Sequence, residues 1–564
     1  MGHNTEADWV SRFADEVIAE AERRAPGEAI VCASGLSPSG PIHLGNLREV
    51  MTPHLVADEI RRRGRECTHL ISWDDYDRFR KVPAGTDPSW AEHIGKPLTS
   101  VPAPPGSGYA NWAEHFKAPM VEALAALGVE FRGISQTEMY TGGAYREQIL
   151  LAMRKRERID AVLDRYRTKK RQKVTEDADE AAAAEGSGAA NEDDGTAVSG
   201  YFPYKPYCSV CDRDLTTVTS YDDETTELAY TCECGHAETV KLAEHDRGKL
   251  VWKVDWPMRW AYERVVFEPS GVDHSSPGSS FVVGGQIVGE VFGGRQPIGP
   301  MYAFVGISGM AKMSSSRGGV PTAAEALRIM ESPLLRWLYA RRKPNQSFKI
   351  AFDQEIQRTY DEWDTVVRKV ADGIAPDAAV AAYDRAARTA AGPLPVTPRP
   401  LPYRTLASIV DITTGQEEQT LRILRDLDPV DPVTSLAETR PRLDLAQHWI
   451  TTQVAASDRT LVRTSPDTGL LDSLSGTERE GLRLLIGGLD DHWSLAGLTT
   501  LVYGVPKIQA GLPQDVKPTP ELKAAQRKFF ALLYTLLVSR DTGPRLPTLL
   551  LAVGADRVRT LLGD

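Results

Sequence analysis

Residues 36–46 of this chain, LSPSGPIHLGN, combine a histidine, an asparagine and two glycines in a pattern that suits phosphate binding. They follow an apolar run at 29–33, which predicts a buried strand. Pro41 favours the opening turn of a helix, which would place His43 in the first turn, where free backbone N–H groups and the helix dipole attract phosphate. Taken alone, a histidine at an ordinary helix start would be the simpler interpretation.

A second segment, KMSSSRG at residues 312–318, changes that balance. It places Lys312 among small hydroxyl residues after an apolar run, as suits a mobile loop that closes over a triphosphate. The two segments together predict an ATP site.

Charged side chains follow three apolar runs that we interpret as strands. Asp74 and Asp75 follow the first run, Asp255 the second and Lys312 the third. The runs are residues 69–72, 250–254 and 302–305. Because ligands bind outside the carboxyl ends of strands in an open parallel sheet, neighbouring strands would bring these side chains to one crevice. The sequence therefore predicts an α/β fold with a Rossmann-like parallel sheet.

Four of the six cysteines have the spacing of a zinc ribbon, C-x2-C followed by C-x-C, with two strand-like stretches between the pairs. The predicted ligands are Cys208, Cys211, Cys232 and Cys234. Four thiolates would close a structural site; disulfides are the alternative, disfavoured in a reducing compartment. We expect His236 not to be a ligand, and Cys32 and Cys67 to be buried apolar fillers.

Length and composition indicate a globular protein of several domains: 564 residues with a net charge of -11. We find neither a signal peptide nor a membrane-spanning run, and expect a cytoplasmic protein with no membrane or DNA partner. The acidic total argues against indiscriminate nucleic-acid coating, but local patches could still bind RNA. Basic runs at 61–65 and 154–173 are candidate patches, or equally solvated helical faces.

Composition also divides the chain. Residues 175–199 are acidic and rich in alanine and glycine, which predicts a disordered loop within an insertion. From about Ala323 the pattern is helical almost to the end, and the last clear helix begins near Pro520. Its predicted buried face is Leu522, Ala525, Phe529, Leu532, Leu533 and Leu536.

The two nucleotide-binding segments resemble the HIGH and KMSKS signatures of class I aminoacyl-tRNA synthetases. Three further segments are similar to signatures of the class I lysyl-tRNA synthetases: WDDYDRFRKVP at 73–83, KVDWPMRW at 253–260 and GVDH at 271–274. The resemblance implies that lysine and ATP, with Mg²⁺, form lysyl-adenylate. It further implies transfer of lysine to the terminal adenosine of tRNA(Lys).

The resemblance also implies residue roles. His43 and Asn46 would donate hydrogen bonds to the phosphates, and Lys312 would stabilise the leaving pyrophosphate. Further ATP-binding candidates are Pro38, Gly45, Met313, Ser314, Ser315 and Ser316. The candidates for the amino-acid pocket are Gly35, Ser37, Asp74, Trp256, His274 and Tyr302. Ser315 replaces the second lysine of KMSKS, and Arg317 is a possible substitute for its charge.

The ammonium group of a lysine substrate needs anionic or aromatic partners when it is buried. The sequence leaves several candidates open: Asp74, Asp75, Asp255, Asp273, Trp256 and Tyr302. Arg78 and Arg259 keep open a glutamyl or glutaminyl enzyme, which would need a cation instead. A non-catalytic tRNA-binding paralogue is a further alternative.

The expected organisation has five parts: a first half of the catalytic domain (1–150), an insertion with the zinc ribbon (151–248), a second half (249–320), a helical connecting domain (321–400) and an all-α anticodon-binding domain (401–564). The anticodon assignment comes from the resemblance alone. Some relatives carry a second zinc site, but the matching stretch at 103–115 keeps only His115 of its ligands. We therefore expect one structural Zn²⁺.

Overall fold

A computed structural model describes residues 8–83, 85–174, 196–197, 200–274, 278–308 and 319–564. Two predicted segments fall largely outside these ranges. They are the loop at 312–318 and the acidic stretch at 175–199, of which only residues 196–197 are described.

The chain alternates helices and strands in its first half and is mainly helical in its second. The helices are α1 Trp9–Arg24, α2 Leu44–Arg62, α3 Trp112–Ala126, α4 Gln136–Thr141, α5 Arg146–Arg154, α6 Arg156–Val174, α7 Trp252–Tyr262, α8 Ser280–Glu290, α9 Ala323–Leu327, α10 Ser332–Ala340, α11 Glu355–Ala371, α12 Asp377–Ala387, α13 Tyr403–Thr413, α14 Glu417–Leu427, α15 Arg442–Gln453, α16 Thr468–Ser473, α17 Gly476–Gly488, α18 Leu495–Gln509, α19 Pro520–Val538, α20 Leu546–Val553 and α21 Ala555–Leu562. The strands are β1 Ile30–Leu36, β2 Cys67–Trp73, β3 Arg132–Ser135, β4 Thr196–Ala197, β5 Gly200–Tyr201, β6 Tyr204–Pro206, β7 Thr216–Tyr221, β8 Glu227–Cys232, β9 Ala237–Lys241, β10 Gly248–Leu250, β11 Ser270–Gly271, β12 Met301–Tyr302, β13 Val305–Ile307, β14 Phe348–Ile350, β15 Arg388–Thr389 and β16 Gly392–Pro393.

A parallel sheet carries the predicted nucleotide-binding region. Its core order is β1-β2-β3, with α2 and α3 as the crossovers between successive strands. On the other side of β1, Phe267 bridges to Cys32 and Ile298 bridges to Phe267, both in parallel. The spatial order is therefore that of a Rossmann-like half, as the fold class predicts. Of the three runs that precede charged residues, only 69–72 belongs to this sheet, as part of β2; the strands near 302–305 pair with β11 and β14 instead.

Two local predictions need correction. The helix after β1 begins at Leu44 rather than at Pro41, because His43 has extended backbone angles and is the N-cap. Residues 252–254 belong to helix α7 and not to a strand. Their run of large apolar residues is compatible with either state; in the fold, the rings of Trp252 and Trp256 stack 5.2 Å apart on one helix face.

The insertion contains a three-stranded antiparallel sheet, β7-β8-β9. Its buried Val218, Leu228 and Tyr230 share one hydrophobic core with Ile149 of α5 and Val254 of α7. The insertion therefore packs on the catalytic sheet's own helices rather than standing apart from them.

The described chain forms two compact units. The first comprises residues 1–327, 332–350 and 366–394, and the second comprises 328–331, 351–365 and 395–564. In the second unit, α19 runs from Pro520 to Val538 and so begins where predicted. Of its predicted buried face, Ala525 is exposed and Leu532 is only partly buried, whereas Gln526 is buried. None of the described helices combines the length and the apolar character needed to cross a membrane.

Candidate active site and metal centre

His43 lies at the start of α2, beyond the carboxyl end of β1. Its Nδ1 atom accepts a hydrogen bond from the backbone N–H of Gly45 at 3.0 Å. Burial lowers the pKa of His43, so the ring is neutral at pH 7. A neutral ring whose Nδ1 accepts carries its proton on Nε2, which leaves Nε2 as a donor for a ligand.

The chain shortly after the second predicted motif contacts the first motif. Leu44 N donates to Pro321 O at 2.9 Å, and His43 forms an isolated antiparallel bridge with Thr322. Residues 309–318 precede this contact in the chain and lie outside the described residues, as do Lys312 and Met313 with the three serines that follow. Pro321 and Thr322, which follow that loop in the sequence, therefore lie beside His43.

A carboxylate that the sequence analysis did not single out, Glu49 of α2, joins two predicted pocket residues. One oxygen accepts from the backbone N–H of Gly35 at 3.3 Å, and the other accepts from the Tyr302 hydroxyl at 3.2 Å. Gly35 lies so close to this carboxylate that a Cβ placed on it would stand 3.7 Å from Glu49 Oε1.

A second such carboxylate, Glu268, follows the strand-like run at 265–267. Its two oxygens accept hydrogen bonds from the indole N–H groups of Trp256 at 3.0 Å and Trp260 at 2.6 Å. Trp256 also packs against His274, with ring centroids 5.7 Å apart. Glu268 thus stands among the predicted pocket residues, with Trp256 as the shared contact.

Both glutamates have a raised pKa. Burial, and then the charge of Glu268, raises the pKa of Glu49 to about 8. Burial raises the pKa of Glu268 to about 7, despite the two indole donors that favour its charged form. All four of these hydrogen-bond donors are uncharged. A cation that entered between the carboxylates would therefore favour their charged forms, since neither has a cation as a hydrogen-bond partner.

The predicted carboxylates Asp74 and Asp255 are engaged differently. Arg259 forms ion pairs with both, at 2.5 Å to Asp74, and all three side chains are buried. Lys249, from β10 of the insertion, pairs with Asp77 and lies 3.6 Å from Asp255. Burial raises the pKa of Asp74 to about 6, against the opposing charge of Arg259. Each of the three carboxylates in this cluster is thus paired with Arg259 or Lys249, and the cluster holds α7 against the end of β2.

The remaining predicted pocket and ATP residues have simpler surroundings. Asp75 accepts hydrogen bonds from the backbone N–H and hydroxyl of Thr137, as expected of a structural cap near the start of α4. Ser37 is exposed and Pro38 is buried, while Asn46 is partly buried and its backbone N–H donates to His43 O at 2.9 Å.

Two features of the sequence could have pointed to Glu268 and Glu49. Glu268 follows an apolar run, Val265 to Phe267, by the same rule that singled out Asp74, but that run is short. Glu49 lies three residues after Asn46, where the correct start of α2 turns it back toward Gly35. Neither position stands out without the spatial neighbours.

The four predicted cysteine ligands converge. Their sulfur atoms all lie within 4.8 Å of one another, with Cys208 Sγ 3.7 Å from Cys234 Sγ and Cys211 Sγ 3.6 Å from Cys232 Sγ. Zn–S bonds of about 2.3 Å in a tetrahedron require sulfur atoms roughly 3.8 Å apart. His236 Nε2 contacts Ser209 at 3.1 Å instead. The donor set thus fits a tetrahedral thiolate site.

The basic run at 61–65 is largely paired with carboxylates. Arg61, Arg62, Arg63 and Arg65 contact Glu130, Asp384, Asp15 and Glu22 respectively. In the second run, Arg156 pairs with Asp223 and Arg158 with Glu290. These contacts favour the structural interpretation over an RNA-binding patch for the described part of both runs.

The chain matches a family model described as tRNA synthetases class I (K) over residues 7–390. A lysine–tRNA ligase from Streptomyces coelicolor is 73% identical over 571 residues, 99% of this chain and 98% of that protein. Lysine–tRNA ligases from Thermococcus kodakarensis and Treponema pallidum are 32% and 31% identical, each over 98% of both chains.

Proposed function

Because the chain belongs to the class I (K) tRNA synthetases, we propose that it joins L-lysine to tRNA(Lys) through a lysyl-adenylate, releasing pyrophosphate and AMP. The observation that carries the choice of amino acid is the pair Glu49 and Glu268. Two carboxylates with only uncharged donors suit an ammonium group, and exclude a substrate whose side chain is an anion.

In the first step, a carboxylate oxygen of lysine bonds to the α-phosphorus of ATP, and the bond to the β-phosphate oxygen breaks. Negative charge builds on the phosphates, so catalysis depends on positioned donors and cations. We assign His43 Nε2–H and the Asn46 amide as donors, and Lys312 as the cation for the departing pyrophosphate. Mg²⁺ bound with ATP would neutralise further phosphate charge.

The other ATP contacts stay proposals at the level of residues. Pro38 and Gly45 flank the His43 turn, and the backbone N–H of Gly45 fixes the tautomer of the ring. We assign the loop residues Met313, Ser314, Ser315 and Ser316 to the nucleotide. Arg317 is the candidate to replace the lysine that Ser315 displaces.

For the amino-acid pocket we propose Gly35, Tyr302, Trp256 and His274 around the two glutamates. Tyr302 and Trp256 already hydrogen-bond one glutamate each, which orients the carboxylates. Ser37 would bind the amino-acid backbone from the exposed end. Asp74 would position Arg259 rather than contact the substrate, since its carboxylate already pairs with that guanidinium.

The cysteine cluster is proposed to hold one structural Zn²⁺. Four protein thiolates complete a tetrahedron and leave no open position for substrate. The metal would stabilise the insertion, because it would join the segment before β7, which carries Cys208 and Cys211, to the end of β8 and the turn after it, which carry Cys232 and Cys234.

In the second step, the 2′-hydroxyl of the terminal tRNA adenosine attacks the lysyl carbonyl and AMP leaves. We propose that the helical region from residue 401 reads the anticodon, and that 321–400 connects it to the catalytic domain. The protein is expected to act in the cytoplasm, where charged tRNA is used.

The rival functions have less support. A glutamyl or glutaminyl enzyme would need a cation for its substrate, but Arg259 is buried between Asp74 and Asp255. A non-catalytic paralogue would not need the neutral, oriented His43.

The test is aminoacylation of purified tRNA with labelled amino acids. Acid-precipitable lysine on tRNA(Lys), with none from glutamate or glutamine, is the expected result. Charging with glutamate or glutamine instead would refute the pocket assignment.

A further inference from the structure

One face of α19 differs in composition from the rest of the second unit. Lys523, Arg527, Phe530 and Tyr534 are spaced four, three and four residues apart, which places them in one line along the helix. We call this line the α19 stripe. At 1.5 Å per residue it is about 16 Å long.

The aromatic rings at and beside the α19 stripe are fixed by their neighbours and remain partly exposed to solvent. Tyr503 of α18 is 44% exposed and meets Phe530 edge to face, with ring centroids 4.9 Å apart. The Tyr534 hydroxyl donates to Pro544 O at 2.5 Å, which fixes that ring at the end of the stripe. Phe530 and Tyr534 are partly buried, so Tyr503 is the most exposed of the three rings. Fixed rings with an exposed face are suited to stacking against a flat ligand.

The cationic half of the stripe is free of ion pairs. Within the described ranges, neither Lys523 nor Arg527 has an acidic partner, and both side chains are exposed. The adjacent Lys528, by contrast, lies 3.5 Å from Glu478. The arginines of the run at 61–65 likewise differ from Lys523 and Arg527, because each contacts a carboxylate. Positive charge without an acidic partner therefore lies beside the aromatic half of the stripe.

We propose that the α19 stripe and Tyr503 bind the single-stranded anticodon loop of tRNA. Two neighbouring cations can contact consecutive phosphates, and the rings can stack on unpaired bases. The proposal rests on the proposed function for the identity of the RNA. It adds which surface of the helical region meets that RNA, and by which chemistry.

The experiment measures tRNA(Lys) binding to the full chain at several salt concentrations. Lys523→Gln/Arg527→Gln removes the charges, and Tyr503→Leu removes the stacking ring but keeps apolar packing. Lys528→Gln is the matched control, because it removes one charge from the same helix on a different face. Thermal unfolding verifies that each variant is folded, and Tyr503→Phe tests rescue by a second aromatic ring.

For the charge variant we expect Kd to rise ten-fold or more, and the slope of log K against log salt to fall by about 1.4, since each single-strand phosphate contact contributes roughly 0.7. Tyr503→Leu should weaken binding on the order of ten-fold with an unchanged slope, and Tyr503→Phe should restore it. A minihelix without the anticodon arm should bind all variants and wild type equally.

Unchanged tRNA affinity and slope in both variants would overturn the proposal and leave the stripe as a surface for an acidic protein partner. An equal loss for the minihelix would also overturn it, since the contact would then lie elsewhere on the RNA. Lysine-dependent ATP–pyrophosphate exchange by the wild type, without tRNA, tests the proposed function separately. A failure of the proposed function, seen in the exchange assay, can thus be distinguished from a failure of the RNA-binding proposal, seen in the tRNA affinities.

Discussion

Lysine binding should depend on pH through the two buried glutamates. With a pKa of about 8 for Glu49 and about 7 for Glu268, both are mostly protonated at pH 6 in the empty site. The ε-ammonium of lysine keeps its charge throughout, because its pKa is about 10.4. The charged fraction of Glu49 rises from about one in a hundred at pH 6 to about one half at pH 8. The KM for lysine should therefore fall between about ten-fold and fifty-fold over that range.

The variant Glu49→Gln tests the cause. It should remove the part of the pH dependence that comes from Glu49, because the glutamine side chain does not titrate. At pH 8 it should raise the lysine KM by about thirty-fold or more, as expected when one partner of a buried charge pair is removed. ATP–pyrophosphate exchange at pH 6, 7 and 8 measures both effects. Glu16→Gln, at an exposed ion pair with Arg12, is the control.

The same shift has a stability consequence of known sign. A carboxyl whose folded pKa lies above its unfolded value destabilises the fold as pH rises from about 4.5 to 8. Glu49→Gln should therefore be more stable than wild type at pH 8 and equal to it near pH 4. A lysine KM that is independent of pH, or a Glu49→Gln variant with wild-type lysine KM, would refute this account of the pocket.

Three further expectations follow from the site. His43→Ala should lower the rate of exchange about a hundred-fold while lysine binding, measured by calorimetry, stays within two-fold, because its Nε2–H is assigned to the phosphates. Elemental analysis should find one zinc per chain, and removing it with a chelator should unfold the insertion, as followed by limited proteolysis; a zinc-free, folded protein would contradict the assignment. Arg259→Met should cost about 3–5 kcal/mol in urea unfolding because it strands two buried carboxylates, whereas Arg264→Met, at an exposed pair, should cost under about 1 kcal/mol.

Local patterns predicted those parts of the fold where one signal dominates. The apolar run before residue 36 became β1, the Pro520 helix began where its proline indicated, and the four cysteines converged. Each of these depends on short-range spacing that the sequence states directly.

The features that were predicted wrongly or missed depend on residues far away in the sequence. The run at 250–254, before Asp255, is predicted to be a strand, but residues 252–254 lie in α7, where the rings of Trp252 and Trp256 stack on one helix face. Asp74 is engaged by Arg259, 185 residues away, so its role in binding could not be judged from its place after a strand. Glu49 and Glu268 acquire their meaning only from each other and from uncharged neighbours.

The central claim is that this site activates lysine. Exchange between ATP and labelled pyrophosphate, measured with each of the twenty amino acids in turn and without tRNA, tests it most directly. The account predicts exchange with lysine alone, reduced about a hundred-fold in His43→Ala. Exchange driven by glutamate or glutamine, or by no amino acid, would contradict it.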